Sequence, residues 1–416
     1  MKRYVAIKLL CGLLPLAVLG CAMFPKKGAP TAYRGGLDPA AYPIIDELCQ
    51  GAVDDGFAPG VVLLIGRDDT ILMRKTYGYR MSEPKVERMT LDTLFDLASV
   101  TKSTCTSAAI MLLVQDGVIR LEDPVSLYVP EFEREDKENI TIHQLLTHSS
   151  GLPAYTSASY LEEHFGPRPN PDGLIQRISE LELKYEPSTD YTYSCLNYLT
   201  LARIAQNVTQ RNMSDFLRER LWTPLGMKDT TFYPNAEQAA RTAPTIYDEK
   251  QFRRAEVHDP LAYYSVCEAY APGNAGGYST VDDMSRYVRM LLGGGKLDGV
   301  RIYNPKIWQR ITTDQNPKGI SRRTCGWGVW TSESYATPLN EGPENLCLGH
   351  TGYTGNIVWM DKLSKAYVIM FSNCVYPVDK KENKSGIIAA RKKVIRTVID
   401  HLDIYQEVNQ KQPAAE

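Results

Sequence analysis

The chain has 416 residues, 43% apolar and 23% charged, with a formal net charge of -2. That length allows one large domain with a substantial core, and the near balance of charge gives no electrostatic footprint for nucleic acid. Nine cysteines are scattered without a C-x-x-C pair, which speaks against a zinc or iron–sulfur site, so no metal or other cofactor is expected.

In chain order, Met1 to Gly20 reads as a leader: Lys2, Arg3 and Lys8 precede an apolar run, Leu9 to Leu19, that is short and broken by Pro15. Val18-Leu19-Gly20-Cys21 resembles a bacterial lipoprotein processing site. That resemblance implies a lipidated Cys21, a membrane anchor made of acyl chains, and an exported protein that faces the periplasm or sits on an outer membrane. Ordinary secretion, with Cys21 incidental, is the alternative. Residues 21–36 form a tether, 37–403 the folded domain and 404–416 a polar tail. Outside the leader and Cys21, seven cysteines remain (Cys49, Cys105, Cys195, Cys267, Cys325, Cys347 and Cys374). The odd number leaves at least one thiol free unless chains pair, and most are expected to be buried and apolar in behaviour, with disulfides left open.

Pro39 to Cys49 reads as a helix, Val61 to Ile65 and Ile71 to Tyr77 as a hairpin turning at Arg67 to Thr70. A second hairpin is expected near the other end, Asn356 to Met360 with Ala366 to Phe371, followed by a helix whose Ile387, Ile388, Arg391, Val394, Ile395, Val398 and Leu402 form one stripe. The middle, about 103–260, reads mainly helical, including Ile142 to His148, Leu196 to Val208 and Met213 to Trp222. The economical architecture is α+β: a central antiparallel sheet built from both chain ends, helices on both faces, and a helical region from the middle.

Three stretches carry chemistry. Ser99-Val100-Thr101-Lys102 opens an expected helix, Thr101 to Gln115, and places Lys102 on the face of Ser99. A serine needs a base within reach to act as a nucleophile, and a helix N-terminus with apolar neighbours would lower the lysine pKa; a lone S-x-x-K is mostly coincidence, a helix cap and a solvated lysine. Tyr193-Ser194-Cys195 offers a phenol that could pass a proton, or a boundary tyrosine. In His350-Thr351-Gly352-Tyr353, Gly352 would let substrate approach the strand edge, and the Tyr353 N–H could join that of Ser99 in an oxyanion hole. His350 could bond the lysine and tyrosine or a substrate carboxylate, or be a structural strand-end residue. His143, His148, His258 and Asp259 read as structural, and Trp327 either walls a pocket or packs beneath it.

In order and approximate spacing these three stretches resemble the motifs of the serine beta-lactamase and penicillin-binding-protein superfamily, most closely the class C beta-lactamase-related hydrolases. Supporting stretches run from roughly Pro39 to His401. The resemblance implies Ser99 as acylated nucleophile, Lys102 and Tyr193 sharing proton transfer, and an oxyanion hole of the Ser99 and Tyr353 N–H groups. Cys195 stands where the family mostly has asparagine, and His350 where true beta-lactamases have lysine; both changes argue against an efficient beta-lactamase. Glu256 to Asp259, Gly273 to Thr280 and His350 to Asn356 look like an exported subgroup of cell-wall turnover enzymes, which implies an N-acetylmuramyl-L-alanine amidase acting on peptidoglycan fragments. An esterase or D-amino-acid peptidase or carboxypeptidase, and a non-catalytic wall-binding protein, are the competing readings.

Overall fold

The structure, a computed structural model, describes residues 36–245, 247–248, 251–330, 335–337 and 346–405. The leader, Cys21, and all but the last residue of the tether lie outside them.

Seven strands form the central sheet: β1 (Gly60–Arg67), β2 (Thr70–Met81), β3 (Glu87–Arg88), β4 (Gly328–Trp330), β5 (Cys347–Thr351), β6 (Ile357–Asp361) and β7 (Ala366–Ser372). Their order is β4-β5-β6-β7-β1-β2-β3, every pair antiparallel. The two expected hairpins are present and meet directly, with Val61 opposite Ser372 and Arg67 opposite Ala366. The near-continuous apolar run of β1 follows from burial on both faces. Side chains alternate across a strand, so Val62 and Leu64 enter one core while Val61, Leu63 and Ile65 enter the other.

Helices α1 (Ala41–Asp54) and α5 (Lys381–His401) cover the second face together, with Ile45, Val394, Ile395 and Val398 in that core. On the first face α4 (Val281–Leu292) lies against β1 and β7, and α2 (Ser107–Gln115) shares its core with α3 (Cys195–Thr209) of the helical region. The α+β expectation is therefore met, including the helical middle.

Several local expectations change. The helix expected over Thr101 to Gln115 begins with a π turn, Lys102–Thr106, before α2, and Met213 to Trp222 likewise ends in a π turn, Arg218–Trp222. Such a turn carries one extra residue, which apolar periodicity does not register. The domain runs beyond residue 403. Tyr405 is fully buried and its hydroxyl donates to Asp361 Oδ2 at 2.6 Å, so a phenol with a buried polar partner anchors what the composition suggested was tail. Residues 406–416 lie outside the described ones. Among the described residues the seven cysteines beyond Cys21 form no disulfide with one another, and five of them are buried. Trp327 is fully buried against Tyr287, ring centroids 6.3 Å apart, and packs rather than walls the cleft.

Docking of α5 depends on its apolar stripe. Replacing fully buried Ile395 with alanine should lower unfolding free energy by about 2–5 kcal/mol, read as a shift of the urea midpoint at constant slope; an unchanged midpoint would contradict this packing.

Candidate active site

The segment before Ser99 is bent by its own chain. Ala98 has φ +45°, a left-handed conformation that disfavours a residue with a Cβ. It is held there by Asp96, whose Oδ1 accepts the Ala98 N–H at 2.8 Å. Asp96 Oδ2 takes the His258 N–H at 2.7 Å, and its backbone carbonyl accepts from Thr354 Oγ1 at 2.9 Å and Asn356 Nδ2 at 2.8 Å. One residue thus ties the Ser99 turn to the segment after β5. Gly352 completes the contact: a Cβ there would stand 2.6 Å from the Leu97 carbonyl oxygen. The glycine therefore permits backbone to approach backbone, where the sequence suggested approach of substrate.

Lys102 is fully buried and its Nζ reaches three groups: Ser99 Oγ at 3.1 Å, the Asn274 carbonyl at 2.8 Å and Cys195 Sγ at 3.4 Å. The carbonyl must accept. A neutral amine can therefore donate to Asn274 and Cys195 and still offer its lone pair to the Ser99 hydroxyl. Burial alone pulls the ammonium pKa down, but negative charge on Cys195 and Tyr193 outweighs it and the net direction is upward. The depression expected from sequence is overturned because the polar neighbours come from other segments. Lys102 holds a proton best while a neighbour is anionic, which suits a group that accepts one as charge builds on an adjacent oxygen.

Tyr193 lies over this amine, its ring centroid 5.1 Å from Nζ. His148 sets its place: the Ser194 N–H donates to His148 Nδ1 at 3.0 Å, and the two rings sit 4.6 Å apart. Burial, then Arg323, Lys102 and His350, pushes the His148 pKa far down, so the ring stays a neutral acceptor. His350 is likewise pushed well below its ordinary value, by burial and by the charges of Arg323 and Lys102. Its Nδ1 lies 2.9 Å from the Thr351 carbonyl. A carbonyl cannot donate, so that nitrogen carries the proton. His350 makes no hydrogen bond to Lys102 or Tyr193 among the described residues, and its bond to the Thr351 carbonyl matches the structural strand-end alternative; its ring stands 5.9 Å from that of Tyr193.

Ser99, Tyr193, His350, Thr351, Gly352 and Tyr353 line one cleft of about 400 Å³. The backbone N–H groups of Ser99 and Tyr353 donate to no acceptor among the described residues, which leaves both available to a developing oxyanion. Tyr353 is strapped in place: its hydroxyl donates to Asp379 Oδ2 at 2.8 Å, and its ring stacks on His258 at 5.4 Å.

A family model described as Beta-lactamase matches residues 45–392. The chain belongs to the beta-lactamase family. Among known proteins it is 26% identical over 372 residues to the "Putative D-alanyl-D-alanine carboxypeptidase" of Salmonella schwarzengrund (strain CVM19633), covering 81% of this chain and 84% of that one. Its fold is similar to the beta-lactamase/D-alanine carboxypeptidase from Pseudomonas syringae, with TM-score 0.69 at 18% identity over 87% of this chain and 99% of that one. It is also similar to EstCE1, a hydrolase with promiscuous acyltransferase activity, with TM-score 0.65 at 22% identity over 86% and 98%.

In this beta-lactamase family member Cys195, which stands where the motif mostly has asparagine, contacts Lys102 through its thiol and is absent from the cleft lining. Sequence reasoning missed Arg323, Trp330 and Arg391, which do line it. Arg391 was read as part of the apolar stripe of α5; it is 7% exposed, its Nη1 donates to the Asn356 carbonyl at 3.3 Å and its Nε has no partner. Arg323 donates to the Tyr191 hydroxyl. Neither guanidinium has a carboxylate partner among the described residues. The signal available was one arginine breaking an otherwise apolar helix stripe.

The Asp96 carboxyl is pushed up to about 6 by burial, against the lowering effect of the His258 and Ala98 N–H donors. An unfolded aspartate titrates near 3.9, so the folded state binds this proton more tightly. The resulting stabilisation is fully present below about pH 4 and lost as pH rises through about 6. Relative to Asp96→Asn, the wild type should lose up to about 2–3 kcal/mol of unfolding free energy across that window. Parallel stability–pH curves for the two proteins, followed by chemical denaturation, would refute the assignment.

Proposed function

We propose that the protein is a serine hydrolase that cleaves a peptide bond beside a free carboxylate through an acyl-enzyme, in the manner of a D-alanyl carboxypeptidase. Ser99 Oγ attacks the carbonyl while its proton passes to Lys102, and the oxyanion forms between the Ser99 and Tyr353 N–H groups. Tyr193, beside the amine, returns the proton to the leaving nitrogen. Water then enters and the same groups run in reverse to release the acid. Motif spacing, the 3.1 Å Lys102–Ser99 contact and the shared cleft support these roles.

The observation that carries the substrate class is the pair of guanidiniums, Arg323 and Arg391, in the cleft of Ser99. A buried cation without an anionic partner is costly, and a substrate carboxylate supplies that partner through charge-assisted hydrogen bonds. His350 is neutral and bonded to its own strand, and Lys384, which also lines the cleft, is paired with Asp379 at 2.8 Å; Arg323 and Arg391 are the lining cations without a carboxylate partner among the described residues. A neutral ester would leave them unpaired. The carboxypeptidase reading therefore stands ahead of the muramyl-alanine amidase and the esterase, and the Salmonella relative agrees with it by name. The proposed setting is the periplasm-facing side of a bacterial membrane, through a lipid on Cys21, where peptidoglycan fragments are at hand; this rests on the leader sequence.

Digestion of defined muropeptides should release a terminal D-alanine, and Ser99→Ala should give neither product nor labelling by an active-site serine probe. Release of the intact stem peptide would replace this reading with the amidase, and turnover of short esters alone with the esterase. Absence of both labelling and turnover would favour a non-catalytic wall-binding protein. Arg391→Leu should lower kcat/KM on a peptide with a free C-terminus by about 10–100-fold, the range of a charge-assisted hydrogen bond. The same substitution should leave the C-terminally amidated peptide within about threefold; equal losses on both would remove Arg391 from recognition.

A further inference from the structure

The Cys195 thiol stands beside the amine of Lys102, and the proton transfer proposed above does not use it. Its Sγ is 3.4 Å from Nζ. The amine is fixed from the other side by the Asn274 carbonyl at 2.8 Å, so the nitrogen is held facing the sulfur. Cys195 is equally fixed. It is the first residue of α3, its N–H donates to the Ala154 carbonyl at 2.8 Å, and the adjoining Ser194 caps the helix and donates to the Pro153 carbonyl at 2.6 Å. Cys49, Cys105, Cys325, Cys347 and Cys374 are buried, whereas Cys195, like Cys267, is a partly exposed residue, and it is in no disulfide. A thiol with a pinned amine against it is a pair of reactants, and asparagine, the commoner residue of the motif, has no such chemistry.

We propose that Cys195 and Lys102 form an oxidative modification site at which a peroxide joins Sγ to Nζ through a reversible sulfur–nitrogen bond. Peroxide oxidises the thiol to sulfenic acid and is itself reduced to water. Oxidation removes the thiolate charge, one of the influences that hold the proton on Lys102; the ammonium gives that proton to water, and the freed amine attacks the sulfur. The S–N bond forms as the S–O bond breaks, and the hydroxide departs as water with one amine proton. The product lacks two hydrogens relative to the reduced pair. Two molecules of a small thiol restore thiol and amine and leave as their disulfide. The linked nitrogen no longer accepts a proton as a free amine does, so Ser99 loses its acceptor. Capture by the amine also shields the sulfenic acid from further, irreversible oxidation. The effect on activity rests on the proposed role of Lys102; the covalent bond does not.

The test treats the full chain with hydrogen peroxide, digests it and reads the mass of the peptides. A linked pair containing Cys195 and Lys102, two hydrogen masses below their sum, is expected, together with loss of most serine-probe labelling at Ser99 and its return on adding dithiothreitol. Cys195→Ser and Cys195→Asn, each compared with its own untreated labelling, should form no link and keep their labelling. Recovery of Cys195 only as sulfinic acid or unmodified, with Lys102 unlinked, would overturn the proposal, as would equal peroxide sensitivity in both variants. A link that forms while labelling persists would uphold the site and instead remove Lys102 as proton acceptor.

Discussion

Asp96 is where the cleft is assembled. A carboxylate with both oxygens occupied by backbone N–H groups, and a carbonyl occupied by two side chains from the far end of the chain, converts three loosely related segments into one frame. Ala98 stays left-handed only because the surroundings over-determine it. Ser99 inherits from that bend its direction into the cleft, and the turn after β5 inherits its distance from Ser99. Ser99 and Tyr353, the two cleft residues whose N–H groups have no acceptor among the described residues, belong to these two segments, so their separation is a property of the Asp96 frame.

The charges of the site follow from the same packing. Bringing the Ser99 and Tyr193 segments together buries Lys102 against a carbonyl and a thiol, and brings His148 and His350 under the influence of Arg323 and Lys102. Both histidines are therefore neutral and serve as fixed hydrogen-bonding pieces. Positive charge in the cleft comes instead from residues outside the three motifs, Arg323, Arg391 and the Asp379-paired Lys384. With histidine at the third motif, the cations of the site come from other elements, which motif comparison alone does not reveal.

Cys195 shows how one substitution can redirect a role. An asparagine there would offer an amide for hydrogen bonding; the thiol offers a weak contact to Lys102 and a reactive sulfur. Its rigid placement at the start of α3 makes the amine its natural neighbour, and the cleft loses one polar group in exchange.

The hairpins, the helical middle and the two-faced burial of the sheet were legible in the sequence, because alternation of apolar residues and the stripe of α5 report directly which faces are covered. The order of the three motifs pointed in the same way to Ser99, Lys102 and Tyr193. What sequence could not give were features created by contacts between distant segments. These include the left-handed Ala98, the upward shift of Lys102, the inward turn of Cys195, the self-bonded His350 and the buried Tyr405. Arg391 is the clearest case. Along the chain it is a flaw in an apolar stripe, and only when α5 lies beside the cleft does it become a cleft-lining cation with no carboxylate partner among the described residues. Periodicity records how much of a face is hidden from water, whereas the partner of a buried charge is fixed by which other segment arrives there, and that is decided by the tertiary fold.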